Sequence, residues 1–285
     1  MDFYDFATSH GLVIEHLTPG RWIRCRTVDK PRKRNGAYFY DHEYGHVQNW
    51  ATMDHAETWI AERAARTAPD YLEMQRRIAI SKARASEERR RKRELARTTG
   101  DFMFHTAIKG THPYLIAKGF PDELGAVLPG GELMIPMFSY GLVFEGAQII
   151  SQVDGAWEKK MLFGMRAKGA SFTIGAPWAP ECWLVEGYAT GLSVFAALRQ
   201  RMNVNASVEV CFSANNLTTI GNRAPRVWRR LIFADNDESG AGKAAALATG
   251  LPFCMADEVG FDANDLHQKR GLGAVVKKIM EARAL

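Results

Sequence analysis

Acidic side chains in three short stretches carry the most legible chemistry. Glu186 follows the apolar run Trp183-Leu184-Val185 and precedes Gly187. Asp235 and Asp237 follow Leu231-Ile232-Phe233-Ala234, and Asp262 and Asp265 lie in Asp262-Ala263-Asn264-Asp265. Short apolar runs that end in acids read as buried strands delivering carboxylates to one edge of a parallel sheet, the edge where open α/β sheets bind ligands. Asp235 and Asp237 are two apart, so an extended backbone points them the same way. Like charges this close repel unless a cation or a shared proton intervenes. Hard oxygen ligands at such an edge suit Mg²⁺ or Mn²⁺, with phosphate oxygens completing the shell. Glu186, raised towards neutrality by acidic neighbours, would suit an acid–base role. Simpler roles stay open: Asp237 could cap a helix beginning near Gly240, and Asp265 the helix that follows it. Ser239-Gly240-Ala241-Gly242-Lys243 hints at a phosphate-binding loop, but Asp237 stands where that motif needs its first Gly and Ala244 where it needs Ser or Thr. Lys243 could still approach a phosphate.

The elements that must position these acids follow from periodicity. Strands are predicted at 182–185, 208–212, 231–234 and 253–255. Helices are predicted over Thr190–Arg201, Asn215–Gly221, Ser239–Ala248 and Gly271–Ala284, with 262–265 as a loop. Strand and helix in alternation mean an α/β fold with a parallel sheet, assigned to residues 181–285. Residues 100–180 read as an α+β subdomain that ends in the basic segment Lys159 to Gly169. Residues 60–99 read as a helical connector, the helical pattern running from Thr58 to Thr99 with Pro69 opening its second part. Residues 1–59 read as a small β-rich module. In it, Trp22-Ile23-Arg24-Cys25-Arg26 and Ala37-Tyr38-Phe39-Tyr40 flank the basic turn Lys30-Pro31-Arg32-Lys33-Arg34-Asn35-Gly36, whose Asn-Gly is a hairpin signal. Its aromatics either fill the core of a small sheet or, interleaved with Arg and Lys, stack unpaired bases.

Composition narrows the classes. At 285 residues and 46% hydrophobic the chain can bury a sizeable core. No apolar run is long enough to span a membrane, and the acidic, aromatic start lacks the basic region of a signal peptide, so the expected compartment is the cytoplasm. Cys25, Cys182, Cys211 and Cys254 offer no paired spacing for zinc, and His42, His46 and His55 lack a supporting set of carboxylates. The net charge of +5 is local: residues 60–98 hold twelve Lys or Arg against six Asp or Glu. Such a run is a solvated connector or a phosphate-tracking surface.

The combination Glu186-Gly187-Tyr188-Ala189-Thr190-Gly191, Ala234-Asp235-Asn236-Asp237 with Ser239-Gly240 and Gly242-Lys243, and Asp262 to Leu266 resembles the Toprim domain of bacterial-type primases, topoisomerases and some nucleases. It is most similar to the primases of phages and plasmids, as are Gln48-Asn49-Trp50 and the stretch from His112-Pro113-Tyr114-Leu115 to Lys118-Gly119. The resemblance implies a Toprim sheet preceded by a primase-core subdomain, and a nucleotidyltransferase that makes short RNA primers on single-stranded DNA from NTPs in a bacterial host cell. Glu186, Asp235 and Asp237 would be catalytic, and these three with Asp262 and Asp265 would hold Mg²⁺ or Mn²⁺. Lys160, Arg166, Lys168 and Lys243, with Arg32, Lys33 and Arg34, would handle nucleotide or template phosphates. A replicative helicase would be a separate partner. The zinc ribbon common at the start of such primases is missing from this sequence. Two other functions share the same residues: a Toprim nuclease, and a non-catalytic single-strand-binding accessory protein of replication.

Overall fold

The computed structural model describes residues 1–61, 68–139, 142–223 and 229–284, with the side chains of 68–74 and 77 outside the described set. The chain divides into two compact units, Met1–Glu87 and Glu88–Leu285. The described residues form a mixed α/β structure with three five-stranded sheets and eight α-helices.

The first unit opens with helix α1 (Phe3–Ser9), capped by the Asp2 carboxylate, which accepts from the Asp5 N–H at 2.8 Å. Strands β1 (Leu12–Val13), β2 (Trp22–Thr27), β3 (Gly36–Asp41), β4 (Tyr44–Asn49) and β5 (Glu57–Ile60) follow as an antiparallel sheet in sequence order. The period of two sorts the side chains. Ile23, Tyr38 and Val47 align on the face that packs Phe3, Ala7 and Trp59, while Trp22, Arg24 and Arg26 point the other way. Asn35-Gly36 is not the turn that its sequence suggests. Gly36 already belongs to β3 and pairs with Cys25, so a longer loop joins the two strands. Thr58 likewise lies in β5 rather than opening a helix. Residues 62–67 of the predicted connector lie outside the described residues.

Helix α2 (Ala68–Thr106) crosses from one unit into the other. In the second unit come β6 (Ile108–Gly110), α3 (Pro113–Ala117), β7 (Gly125–Val127), β8 (Leu133–Phe138), β9 (Phe144–Val153) and β10 (Ala156–Met161), an antiparallel sheet in the order β10-β9-β8-β7-β6. Met134 and Ala147 on one face pack with Met103 of α2 and with Ala107 just after it. Arg97 of α2 fastens this contact through a 2.7 Å ion pair to the buried Glu145 of β9. Leu133, Ile135 and Ile150 on the opposite face join the core of the third sheet.

That sheet contains β11 (Phe172–Ile174), β12 (Glu181–Val185), β13 (Ala206–Val210), β14 (Arg229–Ala234) and β15 (Phe253–Met255). Its order is β11-β13-β12-β14-β15; β11 is antiparallel and the rest parallel. Helix α4 (Tyr188–Ala196), a π-helical turn over Ala197–Arg201, and helices α5 (Ala214–Gly221), α6 (Ala241–Leu247), α7 (Ala263–Arg270) and α8 (Leu272–Arg283) cover it. Every residue of β12 is buried, as a central parallel strand requires. Trp183 and Val185 face one layer of packing, and Cys182 and Leu184 face α5 and α6 in the other. The long helix predicted to end at Arg201 finishes in the π-turn. The loop predicted at 262–265 is the start of α7, separated from α8 by Gly271 at φ +79°. Among the described residues no helix is long and apolar enough to cross a membrane.

Candidate functional site

β12 lies between β13 and β14, so the chain leaves its C-terminal end in one direction and returns to it from the other. This reversal opens a crevice at the carboxyl ends of the strands, where a ligand can reach the sheet. Glu186 follows β12, and Asp235 and Asp237 follow β14, so both strands deliver acids to that crevice.

Asp235 is the most perturbed of these acids. Burial, then the charges of Asp262, Glu186 and Asp237, push its carboxyl up to about 8, with Lys159 opposing them. Its Oδ1 is buried without a hydrogen-bond partner. A bare carboxylate oxygen among other acids costs free energy that a cation would offset. Glu186 is also raised, by burial first and the Asp237 charge second, against a hydrogen bond from the Ala214 N–H at the start of α5.

Asp237 behaves differently from Asp235, although the two were expected to point alike. The strand ends at Ala234; Asn236 then bridges to Phe261, and Asp237 begins the turn into α6. Its carboxylate accepts from Ser239 Oγ, from Ala241 N–H at 3.2 Å and from Gly242 N–H at 2.9 Å. These donors hold it well down, to about 2. Gly242 is required here, because a Cβ would collide with the Asp235 carbonyl. Asp237 is therefore the charged acid and cap of the group, and Asp235 the buried, proton-retaining one.

Asp262 and Asp265 form a capping box on α7. Asp262 Oδ1 accepts from the N–H groups of Asn264 (2.7 Å) and Asp265 (2.9 Å), and Asp265 Oδ2 accepts from the Asp262 N–H at 3.3 Å. Thr190 Oγ donates to Asp262 Oδ2 at 2.9 Å, tying the cap to α4. Buried Asn264 donates to the Lys118 carbonyl and to Ser193 Oγ, which seats α7 against the turn after α3. Asp262 thus faces Asp235, while the Asp265 carboxylate is occupied by the cap.

The basic residues divide. On β10, Lys159 pairs in register with Ile150, which faces the core of the third sheet, and its Nζ lies 5.6 Å from the centre of the Tyr114 ring. Lys160 pairs with Ile149, on the α2 side, and is bound to Glu158 at 2.5 Å. Alternation along β10 therefore turns Lys159, not Lys160, towards the acids, on the face that also carries Trp157. Arg166 and Lys168 are exposed in the loop between β10 and β11. That loop is anchored by buried Asn216 of α5, whose Oδ1 accepts from Gly169 N–H at 2.7 Å and whose Nδ2 donates to the Ala170 and Cys211 carbonyls. Lys243 is exposed on α6. Arg32, Lys33 and Arg34 are exposed in the first unit. Lys159, Asn216 and Thr190 are contributors that reasoning from motifs passed over. Tyr114 sits with them: its hydroxyl is buried without a partner, and burial pushes it up to about 12.

Among the described residues no three His, Cys, Asp or Glu side chains converge as a preformed metal cage. The site still fits a divalent cation of the Mg²⁺ type, which takes one or two carboxylates and leaves the rest of its shell to water and phosphate. The bare Asp235 oxygen, with Glu186, Asp237 and Asp262 close enough to perturb it, is the donor set available. Toprim domains in general bind Mg²⁺ through acidic residues of this kind. Residues 181–273, which contain β12 to α7 and every one of these acids, match the family model of the Toprim domain, so the chain contains a Toprim domain.

Proposed function

We propose that the chain is a primase-like nucleotidyltransferase that joins NTPs into short RNA primers on single-stranded DNA. The observation that carries this reading is the coupled set Glu186, Asp235, Asp237 and Asp262 at the switch point of the sheet, with an unsatisfied oxygen on Asp235. Asp235, with its acidic neighbours, would hold the divalent ion, which would supply charge stabilisation to the attacking and leaving oxygens.

The remaining work falls to side chains. The 3′-oxygen of one nucleotide attacks the α-phosphorus of the next; the new O–P bond forms as the α–β P–O bond breaks and pyrophosphate leaves. Glu186 in its ionised form accepts the hydroxyl proton, and its raised affinity for protons makes it the stronger base. Lys159 brings a positive charge beside Asp235. Arg166 and Lys168, on the loop pinned by Asn216, and Lys243 on α6 attract the triphosphate and the template backbone.

The test is incubation with mixed-sequence single-stranded DNA, labelled NTPs and Mg²⁺ or Mn²⁺, beside an Asp235→Ala/Asp237→Ala variant. Short labelled oligonucleotides that vanish in the variant are expected. Shortened template without new oligonucleotides would replace this reading with a nuclease, and binding without either product would replace it with an accessory protein.

A further inference from the structure

The outward face of the first sheet carries side chains that its own core does not use. Trp22 and Trp50 are 54% and 50% exposed, although tryptophan is a residue that folding normally hides. Both are built into ordered stacks. The Trp22 ring lies nearly parallel to His46, 6.1 Å between centroids and 12° between planes. The Arg24 guanidinium lies 4.1 Å from the centre of the Trp50 ring. The same guanidinium donates through Nε (3.1 Å) and Nη2 (2.6 Å) to the Arg34 carbonyl, so one side chain holds both the ring and the basic loop.

That loop is fixed at its ends as well. Asn49 Nδ2 donates to Asp29 at 3.2 Å, and the Trp50 N–H donates to the Asn35 carbonyl at 3.2 Å. Arg32, Lys33 and Arg34 are therefore exposed on a tethered loop beside Trp50. Along β2, Trp22, Arg24 and Arg26 share one face at a spacing of about 7 Å. Lys82 is close enough to His46 to reinforce what burial does in lowering its proton affinity, which adds a further cation near this face.

Exposed indole faces alternating with cations match a single nucleic-acid strand, which offers bare base faces and a phosphate at every step. A duplex hides its base faces within the stack. An acidic peptide would use the cations but leave the two rings without a purpose. We infer that the outward face of β2, with Trp50 and the 30–35 loop, is a binding surface for single-stranded nucleic acid. Bases stack on Trp22 and Trp50, and Arg24, Arg26, Arg32, Lys33 and Arg34 track the phosphates. The surface is sequence-tolerant, because every base has a π-face. It is independent of the chemistry proposed at the acids.

The experiment is anisotropy of a labelled 15-mer of thymidine nucleotides titrated with the full chain, across a salt series. Trp22→Ala and Trp50→Ala should each weaken binding about 5- to 100-fold and leave the salt slope unchanged. Trp22→Phe and Trp50→Phe should recover most of the loss. Arg32→Ala/Lys33→Ala/Arg34→Ala should lower the slope of log K against log salt by about 2. Photocrosslinking of a bromouracil strand to the parent protein should label peptides within residues 20–50, a readout that needs no variant to fold. Tighter binding of the ribo-oligomer would assign the surface to RNA, and tighter binding of the deoxy-oligomer to DNA. Alanine variants that fold and bind like the parent, crosslinks confined to 88–285, or equal affinity for a blunt duplex would overturn the proposal.

Discussion

Two aspartates separated by one residue do opposite things at the sheet edge. Asp235 ordinarily titrates near 3.8, and burial among acids raises it to about 8. Between those values the unfolded chain gives up the proton while the folded chain keeps it. Stability of the metal-free protein therefore falls as pH rises from about 4 to 8, by at most about 1.4 kcal/mol per pH unit from this group. Asp235→Asn removes that slope, so the urea midpoint of the variant should gain on the parent from pH 5 to pH 8, and added Mg²⁺ should narrow the gap by stabilising the parent alone. Parallel midpoints across this range would show that Asp235 ionises freely. A second pair of neighbours gives a sharper contrast. Lys159→Ala should lower nucleotide transfer by about 10²-fold, on the scale of losing one charge that faces the reacting phosphates. Lys160→Ala, which breaks only an exposed pair with Glu158, should leave the rate within about twofold. Equal losses would refute the facing deduced from β10.

At the scale of elements, the strand ends and the Asp237 cap on α6 were legible, and other turns were not. Val185-Glu186 and Ala234-Asp235 announce themselves because a short apolar run that stops abruptly at an acid marks the point where a buried strand meets solvent. The placement of Asp262 does not follow from its neighbours: whether 262–265 is a loop or a helix start depends on Thr190 and Asn264 finding partners far away in sequence. Asn35-Gly36 misleads for a related reason, since its turn preference is overridden by the pairing of Gly36 with Cys25 in the sheet. Lys159 and Lys160 could not be separated until a register told which face of β10 is inward. Asn216 is the hardest to foresee, a polar residue in a helix whose three partners are backbone groups at 169, 170 and 211. Asn216→Ala strands those buried groups and should cost about 1–3 kcal/mol. It should also raise the KM for nucleotide more than it lowers kcat, because the loop that carries Arg166 and Lys168 loses its anchor. Steady-state kinetics with a chemical-denaturation curve would check both, and an unchanged KM would mean that the loop is held by other contacts.

At the scale of the molecule, each compact unit has a core of its own, and own cores predict own transitions. Phe3 is buried in the first unit, with its ring centroid 5.0 Å from that of Tyr40 and 5.5 Å from that of Trp59. Phe3→Ala removes an aromatic from a small core, at about 3–5 kcal/mol, and a unit of this size should melt roughly 12–40 °C lower for that loss. Arg97→Ala acts in the second unit, where it leaves the buried Glu145 carboxylate without its cation at a cost of about 1–3 kcal/mol. Scanning calorimetry of the full chain should show two transitions. Phe3→Ala should move one and Arg97→Ala the other, and Mg²⁺ should shift only the transition that Arg97→Ala moves, because the acids lie in 88–285. A single transition that both substitutions displace together would mean that α2, common to both units, couples them into one cooperative structure, and that the first unit's surface cannot be treated as an independent binding module.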